Sequence, residues 1–159
     1  MNIPRKLLIG DEIRIVAPSR GASILSEEGI VQAKERLEEL GLKVTFGEHI
    51  FKSDLQNSAS INHRVADLHA AFTDQNVKGI LTVIGGFNCN ELLPYLDYEL
   101  IKQNPKILCG YSDITALANA ITAKCEFITY SGPHFSSFQM EKAQNYQTAF
   151  FKKCLMQDI

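Results

Sequence analysis

The chain predicts an α/β fold, a mostly parallel sheet with helices on both faces. Three observations predict it. Short apolar runs alternate with amphipathic helical stretches along the whole chain. The most apolar run, residues 77–84, is almost continuous rather than alternating, as in a strand buried on both faces. Gly- or Pro-bearing loops follow Ala17, Ile84 and Cys109, and open parallel sheets bind their ligands at that edge.

Each element has its own warrant. Residues 12–17 read as a strand that stops at Pro18, Ser19, Arg20 and Gly21. Residues 27–40 read as a helix with Ser26 as N-cap, Glu27 and Glu28 at its positive end and Gly41 as its stop. Ile30, Ala33, Leu37 and Leu40 give that helix its apolar stripe. Leu42, Val44 and Phe46 then alternate as a second strand, and a polar loop over 51–58 leads to a helix over 59–72. The strand over 77–84 ends in Gly85 and Gly86. Residues 90–103 are helical but interrupted at Pro94. A strand over 106–109 then meets a helix over 113–124, with Gly110, Tyr111 and Ser112 between them. Residues 127–130 form a further strand, and a last helix covers 141–156.

Composition excludes several classes of function. The chain has 159 residues, enough for one domain with a sizeable core. A formal charge of −2 gives no electrostatic reason to expect nucleic acid or a membrane surface. No apolar run approaches the roughly 20 residues of a bilayer span. The first residues, Met1 to Lys6, lack a signal-peptide core, so the expected compartment is the cytoplasm. Cys89, Cys109, Cys125 and Cys154 contain no CxxC pair, which points to reduced thiols and to neither a zinc site nor another cofactor.

The chemistry centres on Ser112. A serine on a tight strand-to-helix turn has unpaired backbone N–H groups behind it, which can hold a developing oxyanion. Hydrolases place a nucleophile in this way. The same serine also suits ordinary helix capping, and Ile114 occupies the second glycine position of a Gly-x-Ser-x-Gly elbow. Asp113 fits a first-turn carboxylate, with its backbone N–H as the useful group. Gly85 and Gly86 make either a tight turn or, at Gly86, a second oxyanion donor that no side chain obstructs. Of the histidines, His63 and His69 suit the surface and His49 a loop; only His134 falls at the edge that carries Ser112. Cys109 belongs to a buried strand and makes a poorer nucleophile.

Two segments carry a resemblance. One runs from Ile84 through Gly85, Gly86, Phe87 and Asn88 to Tyr98; the other runs from Pro105 through Gly110, Tyr111, Ser112 and Asp113 to Leu117. Together they resemble the LD-carboxypeptidase family of serine peptidases, and within it the branch of the microcin C self-immunity proteins. The stretches at Val16–Ser19, Asn76–Ile80 and Thr129–Pro133 match in the same order. The resemblance implies a flavodoxin-like, class I amidotransferase-like N-terminal domain over 1–140. It implies that residues 141–159 are a connecting helix toward a C-terminal domain that this chain does not reach. It also implies metal-free hydrolysis of an amide bond near a free carboxylate by a Ser–Glu–His triad. Ser112 then matches the nucleophile, the N–H groups of Gly86 and Asp113 the oxyanion hole, and Phe87, Asn88 and Tyr111 the substrate loops. The implied substrate is a muropeptide or a peptidyl-nucleotide, and the full-length family form is a homodimer. Because the glutamate and histidine belong to the absent domain, the chain alone is expected to be inactive. The alternative is a non-catalytic peptide-binding module or half of a split enzyme.

Overall fold

The computed structural model describes residues 1–156; the last three positions of the expected connecting segment lie outside the described residues. Five strands form one parallel sheet in the order β2-β1-β3-β4-β5. They are β1 (Glu12–Val16), β2 (Lys43–Phe46), β3 (Val77–Thr82), β4 (Ile107–Gly110) and β5 (Tyr130–Ser131). The helices are α1 (Glu27–Glu39), α2 (Ile61–Thr73), α3 (Tyr98–Gln103), α4 (Ile114–Cys125) and α5 (Gln144–Leu155).

The strand order follows from the crossovers. A parallel connection must carry the chain back over the sheet, and its helix then covers one face. Ile13, Leu81, Ile107 and Cys109 point to the face covered by α1 and α5, where Leu37, Phe135, Phe138 and Phe151 complete the core. Val77, Ile80 and Leu108 point to the other face, with Leu68 and Phe72 of α2, Ile101 of α3 and Leu117 of α4. Both faces are dry, which explains the continuous apolar run of β3. The chain leaves β1 toward β2 on one side and β3 toward β4 on the other, so a crevice opens between the carboxyl ends of β1 and β3.

Caps set several boundaries. The Ser26 side chain accepts from Gly29 N–H at the start of α1, as its sequence suggests, and Ser60 does the same for His63 at α2. Three elements depart from the sequence expectation. Pro94 lies inside a 3-10 stretch (Cys89–Tyr95), and the break falls after it, where Asp97 caps α3. Only Tyr130 and Ser131 pair with β4, because Phe127 is drawn into a bridge with Asn2. α5 begins at Gln144 rather than 141, after Ala143 takes a φ of 63°. It also packs into the first core: the Phe138 and Phe151 rings meet edge to face at 5.4 Å, and Leu7 N–H donates to the Leu155 carbonyl at 2.8 Å.

Candidate active site

Every residue of β4 is buried, and the chain leaves it on a turn with no room to spare. A Cβ on Gly110 would lie 2.2 Å from Thr82 Oγ1, so only glycine lets β4 pass β3 at this point. Ser112 then adopts φ 60°, a left-handed conformation that costs an L-residue about 1–2 kcal/mol. Its side chain is exposed, and its hydroxyl has no hydrogen-bond partner among the described residues. The capping reading of Ser112 therefore finds no bond to support it. α4 starts directly behind, at Ile114.

The two glycines after β3 face different neighbours. A Cβ on Gly85 would sit 3.1 Å from Ser112 Cβ and Oγ, and one on Gly86 would sit 2.2 Å from Ser19 Oγ and 3.0 Å from Arg20 Cγ. The loop is thus clamped between the serine turn and the loop after β1, in the crevice where the strand order reverses. Neither the Gly86 nor the Asp113 N–H has a partner among the described residues. Two free donors beside an unbonded serine hydroxyl can stabilise negative charge on a carbonyl oxygen attacked by that serine.

Buried polar contacts hold these loops. The Asp113 carboxylate accepts from Ser19 Oγ at 2.6 Å and from Cys89 N–H at 3.0 Å. Arg64, only 3% exposed on α2, donates to the carbonyls of Ala59, Pro18 and Asn88 and pairs with Glu91 at 2.8 Å. Asn88 itself is buried, its amide nitrogen donating to Ser58 Oγ and Gln56 Oε1. It shapes the loop from inside. Phe87 is 87% exposed, with the Arg20 guanidinium 5.7 Å from its ring centre, and Tyr111 is half exposed. These two rings stand at the rim. Beside Tyr111, a cavity of about 510 Å³ opens toward Tyr130, Tyr146 and Phe150.

No base reaches Ser112 among the described residues. His134 does lie at this edge, stacked under Tyr111 at 4.3 Å, but it is 2% exposed and its Nδ1 is engaged by Thr82 Oγ1 at 2.7 Å. Burial pushes its pKa down to about 4, slightly offset by the Tyr111 backbone, so the ring is neutral at pH 7. Its Nε2 is buried and has no hydrogen-bond partner among the described residues. His49 is bound to Asp67 at 2.7 Å and stacked on His63, while His69 Nε2 accepts the Asp97 N–H. Burial pushes the Cys109 and Cys89 thiols up to about 12, with the Asp113 charge adding to the effect at Cys89. Both stay protonated, which removes them as nucleophiles. No group of three His, Cys, Asp or Glu suited to a metal occurs among the described residues.

The comparisons with known proteins agree with one another. A family model, the LD-carboxypeptidase N-terminal domain, matches residues 13–132. The chain belongs to the LD-carboxypeptidase family. It is 58% identical over 153 residues to the Bacillus subtilis (strain 168) protein YocD, named as a carboxypeptidase, covering 96% of this chain and 47% of that one. Identity to the microcin C7 self-immunity protein MccF of Escherichia coli is 37% over 127 residues, covering 80% of this chain and 37% of that one. An MccF-like protein from Bacillus anthracis superimposes with a TM-score of 0.97 at 56% identity, covering 98% of this chain and 47% of that one. This chain of the LD-carboxypeptidase family spans less than half the length of the curated relatives named first, YocD among them. Among the described residues no helix is long and apolar enough to cross a membrane.

The residues that brace the loops escaped the sequence reading. Ser19 stood in it only as part of the loop after the first strand and as the end of one matching stretch, with no role of its own. Arg64 had a visible signal: it lies three residues after Ile61 and four before Leu68, a charged residue beside the apolar stripe of α2. Thr82 gave none, since an interior strand accommodates threonine readily.

Proposed function

We propose that this chain is the nucleophile-bearing part of a serine carboxypeptidase, with Ser112 attacking the carbonyl of an amide bond and the Gly86 and Asp113 N–H groups receiving the oxyanion. One observation carries the reading: an exposed, strained serine between β4 and α4 lies against Gly85, and the N–H groups of the neighbouring Gly86 and Asp113 have no partner among the described residues. A serine hydroxyl needs a base to take its proton, and the described histidines are buried, bound or stacked elsewhere. The base and its orienting carboxylate are therefore supplied from outside the described residues, and the chain alone is inactive. In support, one solved form of MccF is an active-site mutant in which a serine, an asparagine and a lysine are replaced by alanine.

The substrate of this reading is anionic. Arg20 has no carboxylate partner among the described residues, and its guanidinium lies over Phe87 at the rim, where it can take a carboxylate next to the scissile amide. Both candidate substrates present such a group. Some relatives are named for murein peptides, and MccF has been solved with aspartyl sulfamoyl adenosine. The test is to assay both classes with this chain alone and with this chain joined to the C-terminal half of YocD. Amide hydrolysis by the joined protein, reduced on the order of 10³-fold or more by Ser112→Ala, is the expected result. Turnover that survives Ser112→Ala overturns the assignment.

A second reading, a non-catalytic peptide-binding module or one half of a split enzyme, draws on the apolar cavity flanked by Tyr146 (69% exposed) and Phe150 (46% exposed). Sedimentation tests it. A monomer that binds neither peptide nor partner rules this reading out.

A further inference from the structure

We infer that the hydrogen bond between Ser19 and Asp113 is a staple that sets the separation of the two oxyanion donors, and that Ser19 is a positioning residue for the reaction. The inference rests on the function proposed above and deepens it. The donors come from different loops: Gly86 follows β3, and Asp113 starts α4. Nothing in the sheet ladder fixes their distance, because both lie beyond the paired ends of β3 and β4. Ser19 closes the gap. Its Oγ lies 2.2 Å from the position a Gly86 Cβ would take, and the same Oγ donates to the Asp113 carboxylate at 2.6 Å. That short distance marks a charge-assisted bond, and Ser19 is fully buried, so water does not compete for it.

The staple has a second arm. Asp113 also accepts the Cys89 N–H at 3.0 Å, three residues after Gly86 in the same loop. One carboxylate thus grips the Gly86 loop from its far end through Cys89 and from its back through Ser19, while its own main chain carries the other donor. A developing oxyanion gains from donors already in place, because reorganising them during the reaction would cost part of the stabilisation. The arrangement gives the Asp113 side chain a task distinct from complementing the dipole of α4, and gives glycine at 86 a second reason beyond leaving its N–H accessible.

The test has two arms. In the joined protein, Ser19→Ala and Asp113→Asn should each lower kcat at least tenfold with KM within twofold, and the double variant should be no worse than the poorer single one. Affinity for a peptide boronic acid should fall in step with kcat, while affinity for the uncleaved peptide does not. A merely structural role would move both affinities together and overturn the inference, as would full kcat in Ser19→Ala. In the chain by itself, Asp113→Ala should speed amide hydrogen exchange at Cys89 at least tenfold and leave Leu68 and Ala71 of α2 unchanged. Unchanged protection at Cys89 overturns the staple whether or not any joined protein is active. Loss of Ser112 dependence would instead strike the proposed function, so the two failures are distinguishable.

Discussion

A left-handed φ at Ser112 is a local cost, and the glycines around it provide clearance. Gly86 shows this best. Its missing Cβ leaves the space that Ser19 Oγ occupies, and Ser19 is itself held by Asp113. Gly86→Ala should therefore destabilise the fold by about 1–3 kcal/mol, the ordinary range for overpacking. Gly85→Ala, whose Cβ would press most closely on the exposed Ser112 side chain at 3.1 Å, should cost less; urea unfolding of the two variants measures both. His134 makes a pH-dependent contribution. Its folded pKa of about 4 lies below the ordinary value of 6.5, so between these values the unfolded chain binds a proton that the folded chain refuses. The contribution is complete above pH 6.5 and is lost as pH falls toward 4, up to about 3 kcal/mol in all. His134→Gln should flatten that limb, read as the difference between the two proteins' denaturation midpoints from pH 7 to 4.

At the level of elements, the site consists of loops, and α2 holds them from behind. Arg64 bonds to carbonyls on both sides of the crevice, Pro18 after β1 and Asn88 after β3. Its guanidinium fork satisfies several buried acceptors at once, which no apolar replacement of similar volume can do. Arg64→Met should cost about 3 kcal/mol or more, because it leaves those carbonyls and Glu91 without their donor. By contrast, Lys34→Ala, which breaks the exposed Lys34–Glu38 pair on α1, should stay within about 0.5 kcal/mol. Equilibrium unfolding in urea compares the two directly. Element existence was legible because strands and helices impose periods of two and 3.6 on their apolar residues. Element ends were not: Asn2 bridges to Phe127 through its bonds with Glu126 and Ile128, far along the chain, and no local pattern carries that information.

On the scale of the whole molecule, α5 decides how the last part of the chain relates to the rest. Phe151 is 2% exposed and packs against Phe138, and Leu155 and Met156 lie in the same core as Ile13 and Leu81. Phe151→Ala should therefore lower the stability of the entire domain by about 3–5 kcal/mol in one cooperative transition. A helix that only tethered would leave the midpoint unchanged, and a denaturation curve followed by circular dichroism distinguishes the two.

The sequence by itself determined the fold class and the serine's place in it. Alternating apolar runs and helical stripes require a covered parallel sheet, and a three-residue connection between β4 and α4 requires a sharp turn at Ser112. Only the tertiary structure decided the backbone angle at Ser112, the burial of His134 and the meeting of Ser19, Gly86 and Asp113. These features depend on residues distant in the chain, brought together at the crevice between β1 and β3. Burial, clearance and buried hydrogen bonds belong to such neighbours, so they appear only once the chain has folded.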